Sequence, residues 1–292
     1  MSTNRNNQGI VHAVLSAIVF GLMPLATQVF YRWGANSVSS AVYRMLPSVI
    51  ILFFLLRFYY HIDLKVSREE VAGLALTALG FSMTSVTLYS SYQYISSGMA
   101  TTIHFAYPIV IFIAMNWLRR YMPKKTDIFY ITLVALGIVF IMDMRGDGGM
   151  NTQGIAFAVL SAFTYSAYSI LLEVKNLKSL HPMKLLFYIN AFSVVIILVY
   201  SRVINAPIFL GFDGVQWLMP VAYSCIITFG ASYLYQSAIM KIGATKTAIL
   251  STVEPITSLI VGGVILHEPM VLRQIVGAVL VLTATTKLII RK

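Results

Sequence analysis

Charge and sulfur are both scarce in this chain. Only 11% of its 292 residues are charged, 10 of them acidic, and it has one cysteine, Cys225. A soluble domain carries about 25% charged residues, so a soluble globular fold is excluded. One cysteine rules out a disulfide framework or a cysteine metal site within the chain, and Cys225, inside an apolar run, reads as packing. No G-x-x-x-x-G-K-[ST] stretch occurs, so direct ATP drive within this chain is not expected. The five histidines, His12, His61, His104, His181 and His267, are scattered, and neither an H-E-x-x-H pattern nor a paired-aspartate motif is present. An enzyme working inside the membrane needs a nucleophile, a base and metal-type groups in one place, so enzyme and channel are remote alternatives. No cofactor is expected. The opening Met1 to Gln8 is polar with one arginine, and the apolar run after it is too long for a signal peptide and lacks an A-x-A-like exit. It reads as a retained first helix.

What is present is apolar: 58% of residues are hydrophobic. Ten segments come close to the ~20 residues that a transmembrane helix needs. They run roughly 9–31, 37–60, 71–94, 97–118, 127–143, 153–173, 183–201, 215–239, 243–266 and 270–289. The net charge of +11 is not the mark of a nucleic-acid partner, because the basic residues fall in short clusters between the apolar runs. With both termini inside, only Arg32, Arg44, Arg145, Arg202 and Arg273 of the 21 lysines and arginines fall outside. That bias sets both termini in the cytoplasm.

The chain also says one thing nearly twice. Gly9 to Ala17 reads GIVHAVLSA and Gly154 to Ala162 reads GIAFAVLSA, identical at seven of nine positions at an offset of 145. Ser96 to Pro108 (SSGMATTIHFAYP) aligns less closely with Gly243 to Pro255 (GATKTAILSTVEP), at an offset of 147. Five helices per half is an odd number, so the second half enters from the opposite side and the repeats are inverted. Inverted repeats are the architecture of carriers that alternate between two mirror-related states. The expected fold is therefore all-α and integral to the membrane, with ten transmembrane helices as two inverted five-helix repeats, 1–143 and 153–292, around a central cavity.

Ionisable groups inside the hydrocarbon cost about 2.5–3.5 kcal/mol each at mid-bilayer and default to function. Glu254 is the clearest. It shares a helical face with Thr247, Ser251 and Ser258, and Pro255 beside it frees backbone carbonyls. Its two readings are a carboxylate that binds a cation or proton on the pathway, and a buried carboxylate held by tyrosines or an arginine. Arg44, near Pro47, either takes a substrate carboxylate, pairs with Glu254, or snorkels to the outer headgroups. His104 shares a face with Thr101 and Pro108 and is a candidate proton carrier, or simply a hydrogen-bonding neighbour. Tyr107 stands where Glu254 stands in the second repeat. Further polar and aromatic stripes join Ser82, Ser85, Tyr89 and Tyr92, then Ser161, Tyr165 and Tyr168, then Ser224, Thr228, Ser232 and Tyr235 with Gln236 alongside. Together these residues make a tyrosine-rich cavity able to stack on an organic ligand. Against that stands the interfacial aromatic belt and the use of Ser and Thr as helix glue. Gly21 and Pro24 read as a kink, and Gly262 and Gly263 as close helix packing. The candidate substrate-binding set is Glu254, Tyr107, His104, Arg44, Tyr165, Tyr168, Tyr89, Tyr235, Gln236 and Ser251.

Taken together, the chain resembles the drug/metabolite transporter superfamily of the ten-helix EamA type. The carriers are the helix count, the inverted repeat and the segment Val253-Glu254-Pro255, Leu266-His267-Glu268-Pro269, Gln274 and Gly277-Ala278-Val279-Leu280. That segment is similar to the family's EP…L-x-E-P…Q…G-A-x-L pattern, while Phe20-Gly21 and Arg44 match further family positions. One departure is Arg120-Tyr121, where the family's first repeat carries a glutamate equivalent to Glu268; Glu268 itself reads better as a helix-start residue than as a ligand. The resemblance implies a basket of the first-to-fourth and sixth-to-ninth helices with the fifth and tenth at the periphery. It also implies movement of small polar metabolites by alternating access. The expected function is secondary transport of an amino acid, amine or related solute across a bacterial inner membrane, with a multidrug or quaternary-amine exporter as the alternative. The expected partners are a small-molecule substrate and the lipid bilayer, with proton coupling or exchange, and a homodimer through the tenth helix, as open alternatives.

Overall fold

The computed structural model describes residues 2–120, 122, 124–141, 151–174, 177, 180–251, 253–267 and 272–290. The α-helices are α1 (Ser2–Phe20), α2 (Met23–Arg32), α3 (Ser37–Phe54), α4 (Arg68–Ser91), α5 (Ser97–His104), α6 (Tyr107–Leu118) and α7 (Lys125–Ile141). They continue with α8 (Thr152–Val174), α9 (Pro182–Val203), α10 (Leu218–Tyr223), α11 (Tyr233–Ile242), α12 (Ala244–Leu250), α13 (Val253–Ile260) and α14 (Leu272–Ile290). Among the described residues there is no β-strand. Among the described residues, eight helical stretches are long and apolar enough to cross a bilayer: Asn6–Arg32, Ser37–Tyr59, Arg68–Ser91, Ser97–Leu118, Thr152–Val174, Pro182–Val203, Leu218–Ile242 and Ala244–Ile265. The expected fifth segment corresponds to α7, and the tenth to α14, whose apolar core Ile275–Ala284 is shorter. Glu268 and the Asp143 to Met150 connector lie outside the described residues.

Three stretches are interrupted where the sequence puts small or kinking residues. α1 stops at Phe20, and the chain resumes as α2 after Gly21-Leu22, with Pro24 in the first turn. That is the expected kink. α5 stops at His104 and α6 resumes at Tyr107, with Pro108 in its first turn. α12 stops at Leu250 and α13 resumes at Val253, so Glu254 lies in a first turn. In both of the last two cases proline takes an early helical position, where its missing N–H costs nothing. Pro47 instead stays inside α3, and there a side chain repairs the ladder. Ser224 Oγ accepts from Ser48 N at 2.9 Å and donates to the Arg44 carbonyl at 2.7 Å. It thus bridges two groups that an undisturbed helix joins directly. Thr228 Oγ1 adds a second bond to the same carbonyl at 2.5 Å.

Close approaches fix how the helices sit. A Cβ on Gly9 of α1 would come 3.1 Å from Lys241 Cβ and 2.6 Å from Ile242 Cγ2 of α11. A Cβ on Gly154 of α8 would come 2.7 Å from Tyr94 Cβ and 2.9 Å from Ile95 Cγ2, just past α4. Gly21 abuts the Glu254 carbonyl, and Ser166 Oγ donates to the Tyr107 carbonyl at 3.1 Å. α7 and α14 pair along their length, with Gly137 against the backbone of Gly277 and Val281.

One end of the bundle is sealed by the segment between α9 and α10. Asn36 donates to the Pro207 carbonyl at 2.8 Å, Ser39 Oγ accepts from Phe209 N at 2.8 Å, and Tyr43 donates to the Phe209 carbonyl. These ties bring Phe212 into a ring cluster with Phe30, Trp33, Tyr43 and Trp217, at centroid distances of 5.2–6.2 Å. Asn36 also caps α3 by accepting from Ser39 N at 2.8 Å. Losing an N-cap costs about 1 kcal/mol, and Asn36→Ala breaks the tie to Pro207 as well. Asn36→Ala is expected to lower the thermal midpoint of purified protein measurably, and Asn36→Asp, which keeps only the cap, by less.

Candidate functional site

The centre of the bundle is an aromatic cage around an arginine and a glutamate. Arg44 of α3 is only 4% exposed. Its guanidinium carbon stands 4.8 Å from the Phe81 ring centroid and 5.4 Å from that of Phe20. Nη1 donates to Ser85 Oγ at 3.2 Å and Tyr89 Oη at 3.4 Å, and Nη2 donates to Ser232 Oγ at 3.4 Å. Nε is buried without a partner. Snorkelling is therefore not what Arg44 does: it points inward. Nor does it pair with Glu254, since the ion pair present among the described residues joins Arg119 to Glu173, at 3.1 Å.

Glu254, 4% exposed, lies on the other side of the cage. Its carboxyl group lies within electrostatic reach of Tyr107, Tyr165 and Tyr235. These rings form one continuous group. Tyr107 and Tyr165 meet edge-on at 4.7 Å, Tyr165 lies 5.2 Å from Tyr235 and 5.5 Å from Tyr168, and His104 lies 5.3 Å from both Tyr107 and Tyr165. Ser161 Oγ donates its one proton to the Ala158 carbonyl at 2.6 Å, so at 2.8 Å from His104 it accepts, and His104 Nδ1 carries the proton there. Ser169 Oγ donates its one proton to the Tyr165 carbonyl at 2.9 Å, so Tyr235 Oη donates to Ser169 Oγ at 2.9 Å.

The structure thus brings nine of the ten expected site residues to the cage: Glu254, Tyr107, His104, Arg44, Tyr165, Tyr168, Tyr235, Gln236 and, one turn before Glu254, Ser251. All are buried. Tyr89 meets the cage through Arg44, and faces Tyr223 Oη at 2.6 Å, towards the sealed end. Of the rings that hold Arg44, Phe20 was marked in the sequence only by the family-like Phe20-Gly21 pair, and Phe81 carries no signal, since a phenylalanine in an apolar helix is the ordinary case. Polar atoms of the cage are left over: Arg44 Nε, Tyr107 Oη, Tyr168 Oη, both amide atoms of Gln236, and nearby Ser16 Oγ are buried without hydrogen-bond partners. Each such atom costs about 1–3 kcal/mol, a cost that a bound polar ligand relieves.

A cavity of about 650 Å³ opens at the end opposite the seal, lined by Ile10, Phe112, Asn116, Glu173, Lys246 and Leu250 among others. Glu173 organises this mouth. It accepts from Arg119 and, at 2.7 Å, from Ala244 N, and so caps α12 where Gly243 turns with φ +84°. The only sequence hint to Glu173 was an acid at the end of an apolar run.

Among the described residues no group of histidine, cysteine or acid side chains is placed to hold a metal ion. The EamA-like transporter family matches this chain twice, over residues 7–143 and 152–290. An uncharacterized transporter of Synechocystis sp. is 25% identical over 67% of this chain, which spans 60% of that protein's length. An uncharacterized transporter of Archaeoglobus fulgidus is 24% identical over 92% of both chains, and transporter YetK of Bacillus subtilis, also uncharacterized, is 21% identical over 87% of this chain and 78% of its own. One solved crystal structure of a protein 15% identical superposes with a TM-score of 0.67, covering 97% of this chain and 99% of its own, and so shares the fold. The chain is a multi-pass membrane transporter, not an enzyme, and it belongs to the EamA-like transporter family.

Proposed function

We propose that this protein is a secondary transporter that moves a small zwitterionic or amine-bearing metabolite by alternating access between two inverted five-helix halves. The observation that carries the reading is the buried cage that holds Arg44 and Glu254 without pairing them. Two opposite charges kept apart among stacked rings suit a solute that brings one of each: its carboxylate to Arg44, its ammonium to Glu254. The aromatic faces add cation–π attraction.

The inverted repeat draws support from contacts that recur between the halves. At the offsets of the sequence matches, Gly9 against Lys241 and Ile242 corresponds to Gly154 against Tyr94 and Ile95. Gly21 against the Glu254 carbonyl corresponds to Ser166 bonded to the Tyr107 carbonyl. Ten passes, with α7 and α14 as the peripheral pair, put both termini on the lysine- and arginine-rich side, the cytoplasm of a bacterial inner membrane. The open mouth then faces inward and the ring-sealed end outward.

The test is thermal stabilisation of purified protein by a panel of amino acids, choline-like amines, polyamines, nucleosides and carboxylic acids. A ligand at about 100 times its Kd adds about 2.7 kcal/mol to the folded state. Zwitterions or amines are expected to stabilise wild type and to lose that effect in Glu254→Gln. An unchanged response in the variant removes Glu254 from the ligand set. No response to any zwitterion or amine overturns the reading. A second reading, export of bulky organic cations, is favoured by the single carboxylate amid tyrosines. Stabilisation by unrelated hydrophobic cations, independent of any carboxylate on them, selects it.

A further inference from the structure

Gln236 is fully buried, yet neither its Nε2 nor its Oε1 has a hydrogen-bond partner. The polar groups just before it are used: Ser232, immediately ahead of α11 and one turn earlier, accepts from Arg44, and Tyr235 bonds Ser169. Tyr168 lies beside the Gln236 amide, close enough for the two polar ends to interact but not in hydrogen-bonding geometry, and its Oη is likewise buried with its bonding capacity unused. As packing alone this makes little sense, because a leucine or methionine there fills the same space without burying unpaired polar atoms. Swapping the amide oxygen and nitrogen does not help, since both atoms are orphans. The unmet need is a matched pair, one donor and one acceptor side by side.

We infer that Gln236 and Tyr168 form a side-chain subsite that takes a neutral planar group with a donor and an acceptor adjacent, of which the carboxamide is the smallest example. The inference rests on the zwitterion site proposed above and assigns what the substrate carries beyond its two charges. Position supports it. Gln236 follows Ser232 by one helical turn, about 6 Å, so the subsite lies one side-chain length from the guanidinium that Ser232 holds. Planarity is served by Tyr168 and Tyr235, whose rings stand 6.2 Å apart and only 17° from parallel. The amide edge meets Gln236 while the flat face lies along these rings. The substrate class is then a zwitterionic amino acid whose side chain ends in a carboxamide or an equivalent planar donor–acceptor edge.

The experiment uses full-length protein in proteoliposomes, with counterflow of labelled glutamine competed by glutamine, asparagine, methionine and norleucine. Methionine and norleucine match the bulk of glutamine but offer no donor–acceptor edge. On wild type the carboxamides are expected to compete at least about 10-fold better than the apolar analogues. Gln236→Met, close in volume and unable to form the pair, is expected to shrink that margin below about 2-fold while methionine binding holds or improves. Equal competition by all four on wild type overturns the subsite, as does a margin that survives in Gln236→Met. If the variant does not fold, the wild-type competition decides alone. Failure of every amino acid to bind wild type, by counterflow or by thermal stabilisation, overturns the zwitterion site itself and the subsite with it.

Discussion

Arg44→Ala is expected to weaken binding and transport of a zwitterion by roughly 30-fold to several thousand-fold, the equivalent of the ~2–5 kcal/mol lost when one partner of a buried, hydrogen-bonded charge pair is truncated. The arginine is prepared for an anion. Three hydroxyls and the Met23 thioether, 3.6 Å away, take hydrogen bonds from its two terminal nitrogens, and two rings flank its plane. None of these neighbours carries a negative charge, and in the proposed function a substrate carboxylate completes it. Arg44→Lys keeps the charge but loses the fork and the stacking, and is expected to fall between wild type and alanine. Removing a buried side chain also disturbs folding, and an internal control separates the two effects. An amine or an amino-acid ester without a free carboxylate is expected to bind Arg44→Ala about as well as wild type. A variant that transports the zwitterion normally would sink the carboxylate role. One that loses ester and zwitterion alike points to a collapsed cage.

The two charges were legible in the sequence because the bilayer makes them conspicuous. Glu254 and Arg44 are rare ions inside apolar runs, and the stripe through Thr247, Ser251, Glu254 and Ser258 follows from helical spacing alone. Tyr165, Tyr168 and Tyr235 stood out in the same way, and the structure buries all three in the cage. Which helices face one another is a property of packing, not of local pattern. Nothing in the sequence says that Phe20 and Phe81 enclose Arg44, or that Ser224, on a helix far along the chain, mends the ladder beside Pro47. The stretch between the apolar runs that end at 201 and resume at 215 carries no such mark, because loop aromatics look the same whether they face lipid or plug a bundle. Proline was an ambiguous guide. Pro108 and Pro255 mark the starts of resumed helices, whereas Pro47 sits inside a continuous one. The difference is whether a neighbour supplies a hydroxyl to the freed groups.

Gly21→Ala is expected to do heavy damage for the addition of a single methyl group. A Cβ at this position would stand 2.3 Å from Thr257 Cβ, 2.7 Å from its Cγ2 and 2.9 Å from the Glu254 carbonyl oxygen. Two of these atoms sit on or next to backbone, so no rotamer change can clear them; α13 itself has to move. Overpacking of this kind costs about 1–3 kcal/mol. The functional loss is expected to be larger than the stability loss, because α13 carries Glu254 and the displacement passes straight to the carboxylate. Ser258 Oγ also donates to the Gly21 carbonyl at 3.3 Å, a bond that the same movement lengthens. Expected readouts are a lowered thermal midpoint and transport below about a tenth of wild type, with the smaller loss in the midpoint. Thr257→Gly removes the opposing side chain at a helix cost of about 1 kcal/mol. Placed with Gly21→Ala, it is expected to restore part of the transport, so that the two changes together do less harm than their sum. Wild-type transport by Gly21→Ala alone would mean that α1 and α13 separate at no cost, and would remove this contact from the parts that hold Glu254 in place.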